Sequence, residues 1–242
     1  MATDCKYCPM RRKDLFAPMS QDDVAAMQRF KVGELVVDPG TPILLEGSNS
    51  PQLFTVLHGM GIRYRFLENG ERQVINFVFP GDFLGLQSGL MGEMGHSVDA
   101  TSKMTLCVFD RAELWNFVKA YPERGFELAW LAAVEEHFLG ESLTTLGQRT
   151  ALQSLAWAFV RIYLRMRASG LGEEGMVRFP FKQRDLADAL GLSLVHTNKT
   201  IGTLKSRQLI GWEGPELQIH DLPALAEVGL TTSDGPKVRP IM

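Results

Sequence analysis

The period of the hydrophobic pattern changes once along this 242-residue chain, near Arg111, and that change limits what the chain can fold into. From about Phe30 to Ala112, short runs of β-branched and aromatic residues are cut at regular intervals by turn signals: Asp38-Pro39-Gly40, Glu46-Gly47-Ser48-Asn49, His58-Gly59, Glu68-Asn69-Gly70 and Phe79-Pro80-Gly81-Asp82. Asn69-Gly70, between Ile62–Leu67 and Gln73–Phe79, is the strongest hairpin signal, because both central positions of a type I′ turn require positive φ. Many short strands punctuated in this way predict a compact antiparallel roll or barrel.

Beyond Arg111 the spacing moves from 2 toward 3.6. Pro122 opens a helical pattern that runs to about Leu146, about 36 Å at 1.5 Å per residue. Ala129, Ala132, Leu139, Leu143 and Leu146 keep a 3-4 spacing, with Glu136 interrupting it, and Phe126, Trp130, Val134 and Phe138 form a second stripe. A helix with two apolar stripes needs two partners. We therefore expect one face on the roll and the other in a coiled-coil-like seam with a second copy of the chain; the alternative is a helix buried inside a monomer. Gly147 ends this helix, and Gln148–Ala168 gives another.

The next segment carries the sharpest signal. In 181–205, Leu186, Ala187 and Leu190 pack a first helix, Gly191 allows a sharp turn, Ser193 caps a second helix, and Ile201 and Leu204 anchor its far end. Leu194, Val195, His196, Asn198 and Lys199 are left facing outward near its start, where a major-groove helix presents side chains to bases and phosphates. Lys182 and Lys205 flank the pattern, and short strands at Met176–Phe179, Leu209–Trp212 and Leu217–His220 supply a wing. The expected class is α+β: an arm (1–29) carrying Cys5 and Cys8 and a helix capped by Ser20, a β-roll (30–121), a dimerisation helix (122–147), a winged helix-turn-helix (148–230) and a disordered tail (231–242).

Charge at first argues against this reading, since the net charge of the chain is -3 and a nucleic-acid-binding domain is expected to be basic. The objection fails locally. Residues 178–207 hold six cations (Arg178, Lys182, Arg184, Lys199, Lys205 and Arg207) against Asp185 and Asp188. A basic head on an acidic body attracts phosphates without adhering to nucleic acid everywhere.

Other classes fare worse. No apolar run approaches the roughly 20 residues of a membrane span, and the first residues lack the apolar stretch of a signal peptide. Three cysteines are too few for a disulfide framework, which points to the cytoplasm. There is no P-loop, nucleophile elbow or zinc-protease motif, and His58, His96, His137, His196 and His220 lack metal-ligand spacing, so no enzyme is expected. A β-roll protein-interaction module without specific DNA binding would not need the basic second helix.

Together, Glu46-Gly47, His58-Gly59, Pro80-Gly81-Asp82-Phe83-Leu84-Gly85 and Leu190-Gly191-Leu192-Ser193 occur in an order that resembles the family of the cyclic-AMP receptor protein and the fumarate-nitrate reductase regulator, Crp/Fnr, over about Phe30 to His220. The resemblance implies a cyclic-nucleotide-binding-like jelly roll and a homodimer on a palindromic operator of double-stranded DNA. It also implies RNA polymerase as a further partner if the chain activates transcription.

Where the chain departs from that family is informative. The effector loop spans Gly81, Asp82, Gly85, His96 and Ser97. The positions where the cyclic-AMP branch carries a ribose-binding Glu and a phosphate-binding Arg are Leu86 and His96, so cyclic AMP is not expected to bind. Cys5 and Cys8 have the spacing that lets two thiolates serve one metal or cluster. By resemblance to the oxygen-sensing branch, Cys107 stands where that branch has its distant cluster cysteine, and Asp14 replaces the remaining one. A 4Fe-4S cluster on Cys5, Cys8, Cys107 and Asp14 is one reading. A Cys5–Cys8 disulfide switch, a zinc site, and no cofactor at all, with Cys107 a plain core residue, are the others. In the recognition helix both named branches carry a Glu where Val195 stands and an Arg where Lys199 stands. Val195 suits a thymine methyl, Asn198 an adenine, and Lys199 a guanine or phosphate.

Overall fold

The computed structural model describes residues 2–242. These divide into two compact units: the chain up to Arg65 with Asn76–Glu136 and Lys237–Met242, and Phe66–Ile75 with His137–Pro236.

The first unit opens with two 3-10 turns, Cys5–Tyr7 and Pro9–Arg12, followed by α1 (Gln21–Phe30). Ser20 caps α1 as the sequence predicts: its hydroxyl accepts from the Asp23 N–H while the Asp23 carboxylate accepts from Ser20 N–H. Strands β1 (Lys31–Val37), β2 (Pro42–Leu44), β3 (Gln52–His58), β4 (Gly61–Phe66), β5 (Arg72–Val78) and β6 (Phe83–Leu84) follow. Then come α2 (Leu86–Met91), β7 (Ser97–Ala100), β8 (Met104–Asp110), α3 (Leu114–Ala120) and the long α4 (Pro122–Gln148), which passes from the first unit into the second after Glu136.

The strands form two sheets, ordered β1-β8-β3-β6 and β2-β7-β4-β5. Phe54, Val56, Val78, Leu84, Val98 and Leu106 fill the space between them. Because side chains alternate across a strand, Thr55 and Cys107 point to the opposite face of the first sheet. That face is covered too: Phe30 of α1 stacks on Phe109 at 4.8 Å and on Phe117 of α3 at 4.3 Å.

The predicted antiparallel roll is therefore present, with differences in detail. Among the described non-glycine residues only Gln208 and Leu230 have positive φ, so the Asn69-Gly70 hairpin is not type I′. Gly70 alone takes the left-handed conformation (φ 83°), and Leu67 N–H donates to the Glu71 carbonyl, giving a longer loop closed at its glycine. The second stripe of α4 is corrected at its start: Phe126 is 75 % exposed and the inward positions there are Leu128 and Leu131, whereas Trp130, Val134 and Phe138 are half-buried and Phe138 stacks on Trp157. The expected stripe Ala129, Ala132, Glu136, Leu139, Leu143 and Leu146 is exposed throughout the single chain.

The second unit holds α5 (Ala151–Ala168), β9 (Gly172–Glu173), β10 (Met176–Arg178), α6 (Gln183–Leu190), α7 (Leu194–Ser206), β11 (Ile210–Glu213), β12 (Glu216–Ile219) and α8 (Leu222–Val228). The wing sheet runs β11-β12-β10-β9. The break between α4 and α5 falls at Arg149-Thr150, later than Gly147 suggested, because Thr150 forms a capping box with Gln153.

The tail is the largest correction. Residues 232–235 are exposed, but Arg239, Pro240, Ile241 and Met242 are buried in the first unit rather than disordered. The guanidinium of Arg239 meets the Asp82 carboxylate at 2.8 Å, and the apolar residues that follow give the segment enough contact to offset its ordering. This pairing is between residues 157 positions apart, which no local pattern could register.

Candidate nucleic-acid interface

α6 and α7 meet across the turn that the sequence marks. Gly191 has φ 62° and closes α6, with Leu192 N–H donating to the Ala187 carbonyl. Leu186, Ala187 and Leu190 of α6 and Ile201 and Leu204 of α7 are buried together in the head. Ser193 caps α7 by accepting from His196 N–H at 3.2 Å. With one side of α7 held in this way, Val195, 80 % exposed, projects into solvent, and His196, Asn198 and Lys199 are exposed with it. The intervening Thr197 and Thr200 are buried. The exposed set is the face a groove-reading helix needs.

Two predicted positions turn out to have internal partners. Lys205 donates from Nζ to the Trp212 carbonyl at 2.6 Å, tying α7 to the wing. Lys182 sits before α6, and its N–H donates to Asp185 at 2.8 Å.

Two contributors were not foreseen. The first is the start of α5: Thr150, Ala151 and Leu152 line a cleft of about 630 Å³ together with Ser193, His196, Lys199 and Thr203 of the α7 region. N–H groups in the first turn of a helix have no intrahelical acceptor, so this end of the cleft is suited to an anion beside the Lys199 ammonium. The Thr150/Gln153 capping pattern was the signal available in the sequence. The second is Arg72, from the tip of the β4–β5 hairpin, which binds Asp185 at 2.6 Å and Asp188 at 2.8 Å. Arg184 adds a second contact to Asp188 at 3.0 Å. Both head carboxylates are thus neutralised by guanidinium groups, one of them supplied from far away in the sequence.

In the first unit the structure gathers the cysteines. Cys5 and Cys8 are half-buried and Cys107 is buried; Cys8 and Lys31 act electrostatically on both Cys5 and Cys107. Burial pushes the Cys107 thiol up to about 11, and desolvation raises Cys5 as well, with Lys31 acting against both shifts. Lys31 itself bridges Glu34 at 2.7 Å and donates to the Thr3 carbonyl, which fastens the arm over β1. Asp14 is exposed. Among the described residues, no group of three His, Cys, Asp or Glu side chains is arranged to hold a metal ion.

The effector-loop residues take up separate tasks. Gly81 has φ 87°, and a Cβ there would strike the Phe16 ring. Asp82 is paired with Arg239. Gly85, also left-handed, begins α2, and the Ser97 hydroxyl accepts from Glu46 N–H at 3.0 Å. His96 is held down to about 4 by burial, reinforced by the positive charges of Arg63 and Arg65. These two guanidiniums pair with Glu135 and Glu46.

Comparison with known proteins agrees with this architecture. A cyclic nucleotide-binding domain model matches residues 34–121, and a Crp-like helix-turn-helix domain model matches residues 153–228. The chain belongs to the Crp/Fnr family. The chain is 29% identical over 203 residues to the nitrogen fixation regulation protein FixK of Bradyrhizobium diazoefficiens, covering 83% of each chain. To the transcriptional activator protein FnrL of Cereibacter sphaeroides it is 26% identical over 235 residues, covering 96% of this chain and 94% of the relative. The structure of FixK2 from Bradyrhizobium japonicum matches with a TM-score of 0.70 at 23% identity, over 81% of this chain and 96% of that one. This Crp/Fnr protein is a DNA-binding transcription regulator and not an enzyme. Among the described residues, no helix is long and apolar enough to cross a membrane.

Proposed function

We propose that this regulator acts as a homodimer on a palindromic operator in the cytoplasm and takes a redox or oxygen-type signal through Cys5, Cys8 and Cys107. The observation that carries the DNA reading is the exposed face of α7 set beside the start of α5. Val195 and Asn198 would read base edges, while Lys199 and the first turn of α5 would seat a phosphate. Dimerisation through α4 is supported by Leu139, Leu143 and Leu146, which leave an exposed apolar stripe of the kind a coiled-coil seam covers. By likeness to FnrL, named a transcriptional activator, RNA polymerase is the further partner.

The signal reading rests on the gathering of the three thiols around Lys31. A 4Fe-4S cluster would need Asp14 as its fourth donor, a harder and more labile ligand than thiolate, and Asp14 is exposed. Reversible oxidation of Cys5 and Cys8 is the simpler reading: hydrogen peroxide takes two electrons and two protons from the pair, leaving one disulfide and two waters. Cyclic AMP is not the effector, because Leu86 supplies no acceptor and His96 stays neutral beside two guanidiniums that already have carboxylate partners.

A gel shift on genomic fragments, with the protein reduced and then treated with peroxide, tests both parts. Specific retardation that changes reversibly with oxidation is expected, and absence of specific retardation overturns the DNA reading. Anaerobic reconstitution with iron and sulfide decides the cofactor. A brown protein with bound iron and sulfide restores the cluster reading against the thiol one.

A further inference from the structure

Residues Glu34, Cys107, Thr55 and Phe83 form a single row across β1, β8, β3 and β6, since each is the register partner of the next. Cross-strand partners share a face, and two segments from opposite ends of the described chain cover this one. At one end of the row, Thr3 N–H donates to Glu34, and the 3-10 turn carrying Cys5 follows. At Thr55, beside Cys107, the hydroxyl donates to the main-chain carbonyl of Met242.

The two segments are also joined to each other. Phe16 and Arg239 form a parallel bridge in which Ala17 N–H donates to the Arg239 carbonyl and Arg239 N–H donates to the Leu15 carbonyl, both at 2.9 Å. The arm is therefore held at the cysteines on one side and at Arg239 on the other. The Arg239–Asp82 ion pair that anchors the crossing is buried, with 8% and 6% of the side chains exposed, and Arg239 Nε has no hydrogen-bond partner among the described residues. A buried pair with an unsatisfied donor adds little net stability although it fixes geometry. Such a contact fixes where the segment docks, while burial of Ile241 and Met242 supplies its apolar hold.

We propose that Lys237–Met242 is a gating strap: docked, it clamps the arm over Cys107, and released, it opens the thiol site to small reagents. The strap follows α8 and the exposed residues 232–235 in the chain, and its six residues pack within the first unit. The gating itself does not depend on how the thiols signal; only its consequence for DNA binding rests on the reading given above.

The test uses the full chain carrying Cys5→Ser and Cys8→Ser, so that Cys107 is the single thiol, and follows its alkylation by iodoacetamide. Arg239→Ala is expected to speed the modification about tenfold through more frequent local opening, while Lys103→Ala, at an exposed position outside the strap, leaves the rate unchanged. Equal rates with and without the Arg239→Ala substitution overturn the strap. Should Arg239→Ala fail to fold, Thr55→Val removes a single donor at nearly constant shape and is expected to accelerate labelling in the same sense; no acceleration overturns the proposal. The gel shift under peroxide, run on the chain with all three cysteines, reports separately on the signal: a response absent there with labelling still gated removes the redox reading and leaves the strap standing.

Discussion

Arg72, at the end of the β4–β5 hairpin, places its guanidinium 2.6 Å from the carboxylate of Asp185 in the first helix of the DNA head. Asp188, one turn further on, accepts from the same side chain at 2.8 Å. Replacing Arg72 by Ala leaves a buried carboxylate with only its backbone cap, and we expect a loss of about 1–3 kcal/mol in the second unit. Chemical denaturation checks this, and a double-mutant cycle with Asp188→Ala isolates the pair. Arg72→Lys should recover only part of the loss, because one ammonium cannot span both carboxylates as the planar fork does.

Lys199 separates phosphate contact from base reading. We expect Lys199→Ala to weaken all sequences alike and to lower the slope of log affinity against log salt by about one. Asn198→Ala should instead relax preference at a single base position, by about 1–3 kcal/mol. Binding-site selection on randomised operators measures both.

Leu143 is 72 % exposed in the single chain and stands in the middle of the seam stripe. Leu143→Glu brings like charges toward each other across a twofold seam. The dimer dissociation constant should rise at least about tenfold, or about 1.4 kcal/mol. Sedimentation equilibrium measures it, and an unchanged constant would place the dimer contact elsewhere.

His96 gives the stability a pH dependence of known sign. Its pKa is lowered from 6.5 to about 4 in the folded chain, chiefly by burial. Below pH 6.5 the unfolded chain therefore binds a proton that the folded one refuses, and stability falls as pH drops from about 6.5 to about 4. We expect a loss on the order of 2 kcal/mol over that range, allowing for solvent screening. His96→Gln, which cannot titrate, should flatten this part of the curve in pH-dependent denaturation.

Much of this was legible because it is local. Ser20, Ser193 and Gly191 act through neighbours within a turn of the chain, and the change of hydrophobic period near Arg111 separates strands from helices without any tertiary knowledge. The Asn69-Gly70 turn shows where local reading falters. The residue pair marks the hairpin correctly, but the flanking register decides its loop length, and only Gly70 takes positive φ.

The order of roll, long helix and winged head, together with the outward face of α7, is written in the chain itself, because caps, turns and periodicity act within a few residues. Only the folded chain reveals that Arg72 neutralises the head carboxylates, that α5 opens toward Lys199, and that Arg239 closes on Asp82. Each of these contacts joins charges or polar groups tens to more than a hundred residues apart, and such pairing leaves no periodic trace in the chain. It exists only once hydrophobic burial has brought the elements together and removed the water that would otherwise satisfy those groups.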